Sequence, residues 1–151
     1  MRSRRHARAG GARAGGERGA AAVELALVVP LFLLILIGII NVGVMVAQQI
    51  ALGNAARQAA RYAVVDGPTC TDVEAQARDA LSAPNMDSSA PTFSLSGGPC
   101  PKPCQGSAGR TDPNVTVTLR YTSTWVVPFP VPGLGTGRTL EGKGRFRCEF
   151  S

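Results

Sequence analysis

LALVVPLFLLILIGIINVGVMVA, residues 25–47, contains a single polar side chain, Asn41, and no charge. A helix needs about 20 apolar residues to cross about 30 Å of hydrocarbon, and this run has 23. A buried core helix would carry a polar stripe at the 3.6-residue period, and none exists between Leu25 and Ile40. The stretch therefore reads as a membrane-spanning helix, starting near Ala20, with Pro30 introducing a mild kink.

The charge lies almost entirely on one side of it. Residues 1–19 hold six arginines against one glutamate, a net +5, which leaves +1 of the total +6 for everything that follows. Arginine clustered beside a span stays on the cytoplasmic side. Nucleic-acid binding by this tail is the rival reading. It is the weaker one, because the tail has no aromatic side chain on which a base could stack. With no apolar face to bury, the Arg/Gly/Ala-rich leader is expected to be disordered.

All four cysteines, Cys70, Cys100, Cys104 and Cys148, follow the span. On an exported domain an even number of cysteines points to disulfides, with three connectivities open. Zinc is the alternative, but C-P-K-P-C flanked by two lone cysteines lacks paired C-x₂-C knuckles.

Beyond Ala47 polar residues enter, yet nothing stops the helix before Asp66-Gly67-Pro68. Gly43, Ala47, Ala51, Ala55, Ala59 and Ala63 recur every four positions. Small residues on such a ridge admit another helix, in a homo- or hetero-oligomer, or the chain's own globular part. Thr71-Asp72-Val73-Glu74 reads as a capping box opening a helix over 72–82. A short strand is expected at Thr92–Leu95 within a Pro/Gly/Ser-rich stretch. From Asn114 the period becomes two: Val115, Val117, Leu119, Tyr121 and Trp125 share a face. After Pro128–Gly133 a second alternating strand runs from about Thr139 to Phe150. Its inner face carries Leu140, Phe146, Cys148 and Phe150 with Gly142 and Gly144.

The fold class that follows is α+β. A long N-terminal transmembrane helix continues outside the membrane, followed by a short second helix and a small antiparallel sheet of two or three strands. The expected domains are a leader at 1–19, the span at 20–47, its extracytoplasmic continuation at 48–66 and a disulfide-linked domain at 67–151.

No catalytic constellation, cofactor or metal site is expected. The only histidine is His6, in the leader, and the carboxylates after the span are scattered. Glu24 remains to be explained, since a carboxylate beside lipid is costly. A first-turn acid at the headgroup level, favourable to the helix dipole, is one account. The other is that a cut after Gly19 would leave Ala20 with a terminal amine and Glu24 as the fifth residue.

Arg18-Gly19-Ala20-Ala21-Ala22-Val23-Glu24 running into the apolar helix resembles the TadE-like family of tight-adherence (Flp) pilus assembly proteins. Asn54-Ala55-Ala56-Arg57-Gln58-Ala59-Ala60-Arg61-Tyr62-Ala63 resembles that family's post-span helix, and Arg147-Cys148-Glu149 fits its C-terminal strand pair loosely. The resemblance covers about residues 17–65. It implies a pseudopilin-like component that partners the membrane and other pilus or secretion-system subunits. It further implies processing by a prepilin-type peptidase at Gly19–Ala20, with Glu24 in the place of the acid of mature pilins. Flp-type pilins carry an aromatic residue after that acid, where this chain has Leu25. The competing function is a secreted or anchored small binding domain with residues 1–47 as signal or anchor. An h-region of 7–15 residues is shorter than this run.

Overall fold

The computed structural model of the protein describes residues 14–65, 67–98, 100, 102–104, 113–128 and 135–148. Of the disordered leader expected over residues 1–18, residues 14–18 are helical instead, while residues 1–13, most of the Pro128–Gly133 break and the strand end at Phe150 lie outside the described residues. The order is a long helix α1 (Ala14–Ala63), a short helix α2 (Cys70–Asp79) and strands β1 (Thr92–Ser96), β2 (Asn114–Thr124) and β3 (Gly137–Arg147). The chain is thus α+β, as the change of period from 3.6 to two implies.

Helix α1 has 50 residues and continues through Pro30. At 1.5 Å per residue that is about 75 Å. It starts six residues before the expected Ala20, because extending a helix from an Ala-rich segment is far easier than nucleating one. Two compact units divide the chain, Met1–Ile37 and Gly38–Ser151. In the first, every residue from Gly19 to Leu36 is exposed. The second starts inside the apolar run, ten residues before residue 48, and side chains from Asn41 onward are engaged by the globular part.

Within the second unit the strands form a meander, β1-β2-β3, antiparallel throughout. Thr92 faces Arg120 across β1–β2, and Asn114 faces Arg147 across β2–β3. The inward face of β2 is Val115, Val117, Leu119 and Ser123, all buried, with Tyr121 half-buried. Trp125 was expected on this face. The strand stops at Thr124, and the intervening inward position belongs to Ser123. On β3, Leu140, Gly142 and Gly144 are buried, whereas Phe146 is 38% exposed and departs from the expected face. The core joins this face to Leu52, Ala55, Ala56, Ala59, Ala60 and Ala63 of α1 and to Val73 and Ala77 of α2.

Helix α2 corrects the expected start at 72. Its N-cap is Thr69, whose hydroxyl accepts from the Asp72 N–H while the Asp72 carboxylate accepts from the Thr69 N–H at 2.8 Å. The capping box is therefore Thr69–Asp72 rather than Thr71–Glu74. Starting there seats Val73 and Ala77, one turn apart, in the core. Glu74 pairs instead with Arg78 one turn on, at 2.6 Å.

Candidate functional site: an apolar helix and the domain fastened to it

From Leu25 to Leu36, α1 presents only apolar side chains, all of them exposed. Val23, Leu25, Leu27, Leu31, Phe32 and Ile39 are each more than half exposed, although they are among the most apolar residues of the chain. Exposure on this scale far exceeds the few hundred Å² of contiguous apolar surface usual on a soluble monomer. By length and composition the helix can cross a membrane. Gly19, Ala20 and Glu24 all lie on its exposed stretch, and a Cβ placed on Gly19 would meet nothing within 4 Å. Ala20 and Glu24 are one turn apart on the same face, about 6 Å along the axis.

Higher on α1, three amide side chains fasten three separate segments of the domain to the helix. The Asn41 amide donates to the Val127 carbonyl at 2.9 Å and accepts from the Val127 N–H at 3.1 Å. Gln48 donates to the carbonyls of Pro84 and Asn85 at 3.0 and 3.4 Å. Gln49 donates to the Glu141 carbonyl at 2.8 Å. Asn41 and Gln48 are almost completely buried, so these bonds give their buried amide donors partners that water cannot supply. The sequence marks these residues only as polar interruptions. A lone Asn in an apolar run is the available signal for such a bond.

Between the amides the helix meets β3 backbone to backbone. A Cβ on Gly142 would fall on the Leu52 carbonyl group, and one on Gly144 on that of Ala56. Two residues of strand advance about 6.8 Å and four residues of helix about 6 Å. Alternate strand positions can therefore mesh with every fourth helix position. The Ala row is used in this way: Ala51, Ala55, Ala59 and Ala63 are buried in the chain's own domain, Ala47 is half-buried and Gly43 is exposed. A Gly-x-Gly in a strand opposite an Ala row in a helix was the signal for this contact.

The four cysteines form two disulfides, Cys70–Cys100 and Cys104–Cys148. The first ties the start of α2 to the segment after β1, and the second ties that segment to the end of β3. No group of three His, Cys, Asp or Glu side chains placed to hold a metal exists among the described residues.

Charged groups of the domain are arranged for structure. Hydrogen bonds from the Thr69 backbone and hydroxyl hold the Asp72 carboxyl below the usual carboxylate range. Those from Ser89 do the same for Asp87. Glu141 is lowered by hydrogen bonds from Lys143 and then Arg120, at 2.6 and 2.7 Å.

Residues 19–61 match the family model described as TadE-like protein. No curated protein matches the chain, and no solved structure does.

Proposed function

The chain carries a TadE-like segment, and from that premise we propose that it is a membrane-anchored, pseudopilin-like component of a tight-adherence (Flp) pilus or related secretion system. The single observation that carries this reading is the TadE-like helix itself, bare and apolar over its lower part and covered by a small domain over its upper part. Such a chain acts by insertion, packing and assembly rather than by catalysis. Its partners on this reading are the bilayer, other subunits of the system and a prepilin-type peptidase. The N-terminus is cytoplasmic and the domain from residue 48 onward extracytoplasmic, as the Arg-rich leader and the disulfides favour.

Processing follows from the same reading as a hypothesis. Gly19 lacks a Cβ to obstruct a protease at the backbone. It lies on an exposed helical stretch, so cleavage requires local unwinding there. The new amine at Ala20 would then be one turn from Glu24, or available to the Glu24 of a neighbouring subunit. In surroundings of low dielectric, either partner serves a carboxylate better than lipid does.

N-terminal sequencing of the protein from native membranes tests this. Ala20 as first residue is the expected result, with Gly19→Val leaving an uncleaved precursor and Glu24→Ala cleaved but poorly assembled. An intact leader in cells with an active prepilin peptidase would remove the pseudopilin reading. Carbonate washing separates off the secreted-domain alternative, because only an anchored chain stays with the membrane.

A further inference from the structure

Asn41 lies inside the apolar run, yet it is 2% exposed and both halves of its amide are spent on one residue, Val127. Val127 belongs to Trp125–Pro128, which leaves β2 after Thr124 with the Trp125 N–H donated to the Thr136 carbonyl at 3.3 Å. The helix–strand mesh fixes the level of this segment along α1. Gly144 lies on Ala56, Gly142 on Leu52 and the Glu141 carbonyl on Gln49, so β3 descends toward its start as α1 descends. Gly137 and Arg138, which face Thr124 and Ser123, are lower still, and Val127 meets Asn41 at the foot of the ladder.

The foot of the ladder is apolar and carries little charge. No charged residue occurs on α1 between Glu24 and Arg57. Val42 and Val46, on the uncovered side of α1 near this level, are each more than half exposed. Val126 is 39% exposed, and Trp125 is half-buried with its indole N–H already given to the Gly135 carbonyl at 2.8 Å. The indole can therefore lie against lipid without stranding its donor. Arg138, exposed at the same end of the sheet, suits the headgroup zone, where long cationic side chains reach phosphate while their stems stay in apolar surroundings.

We infer that Trp125–Pro128 is a second membrane contact of this protein, an interfacial loop seated in the lipid headgroup region and held there by Asn41. This rests on the anchored reading above. Irregular backbone is tolerated near lipid only where its polar groups are satisfied by protein, and the paired bonds of Asn41 do this for Val127. The helix alone leaves the depth and tilt of the domain open, since tilt is set by interfacial anchors and packing. With the loop as a second point of contact, the domain is held against the bilayer surface in one orientation.

Trp125 is the only tryptophan, which makes the contact directly measurable. The full chain is reconstituted in vesicles of phosphatidylcholine and phosphatidylglycerol, and co-flotation is measured first. Failure to float removes the anchored reading and the loop contact together. In floating samples, Trp125 fluorescence is expected to be lost more strongly to spin labels at the headgroup than to labels deep in the acyl chain. Iodide in the water should quench it weakly. Iodide quenching like that of a free indole, with no effect of any lipid-borne label, would overturn the inference while leaving the anchor intact. Val126→Asp changes an exposed side chain and should lower the lipid quenching and raise the iodide quenching. Asn41→Leu, with both disulfides still formed, should do the same. Unchanged quenching in Val126→Asp overturns the loop contact, and unchanged quenching in Asn41→Leu overturns the part given to Asn41.

Discussion

Single residues set where the elements begin and how they meet. Thr69 and Asp72 satisfy each other's backbone N–H groups and so fix the start of α2. Thr69→Ala should cost about 1 kcal/mol of stability, read as a lower denaturation midpoint of the disulfide-intact protein in detergent. Asp72 adds a pH dependence whose sign follows from its lowered pKa. A carboxyl that is more acidic when folded than when unfolded contributes stability above its unfolded pKa, and that contribution is lost as pH falls through the folded value. The advantage of the wild-type protein over Asp72→Asn in thermal melts should therefore hold at neutral pH. It should shrink as the pH drops below the ordinary value near 3.8. A constant difference down to strong acid would show that the Asp72 charge has no part in the cap. In the triad of Arg120, Glu141 and Lys143 the two cations are exposed and the carboxylate half-buried, and the direct stabilisation from such surface pairs is small and screened by salt.

Among the elements, the contact of α1 with β3 is the one that most constrains the fold. The strand can lie on the helix backbone only because Gly142 and Gly144 face it and the helix offers Leu52 and Ala56 at the matching rise. Gly144→Ala would push a methyl into the Ala56 backbone, which cannot yield as the end of a flexible side chain does. Its expected cost is about 1–3 kcal/mol, with larger side chains preventing docking. Gly43→Ala is the control, because a Cβ there meets nothing within 4 Å. It should leave stability unchanged or slightly raised, given the preference for Ala over Gly in helices. Equal losses in the two variants, measured by denaturation of the purified protein, would mean that the contact does not determine stability. The Ala row is therefore used within the chain over its upper part. A helix partner in an assembly has the uncovered side of α1 available instead.

At the scale of the whole molecule, the two bridges stand in for the large apolar core that so short a domain lacks. They close separations of 30 and 44 residues. On the chain-entropy account each is worth roughly 4 kcal/mol. Peptide mapping without reductant of the protein from native membranes should recover Cys70 linked to Cys100 and Cys104 linked to Cys148. A Cys70–Cys104 peptide would show a different path for the segment between β1 and β2. Four free thiols in cells would place the domain on the reducing side of the membrane and reverse the proposed topology. Removing the second bridge as Cys104→Ser with Cys148→Ser should cost more than any single cap or contact, because it also frees the end of β3.

The sequence by itself determined the features that rest on local pattern. An uncharged apolar run of this length fits a membrane-crossing helix, a period of two from Asn114 marks a strand, and the TadE-like motif lies in one contiguous segment. Cysteine number and position likewise pointed to two bridges without choosing among three pairings. What only the tertiary structure decided are the contacts between residues far apart in the chain. Asn41 and Val127 are 86 positions apart, so no window of sequence could reveal that the one polar group in the apolar run is spent on a loop backbone. The same holds for Gly142 and Gly144, whose missing side chains acquire meaning only once a helix lies against them. That the second compact unit starts at Gly38, inside the apolar run, follows from these distant contacts. Hydropathy finds where a helix becomes polar, but the domain begins where the rest of the chain first reaches it.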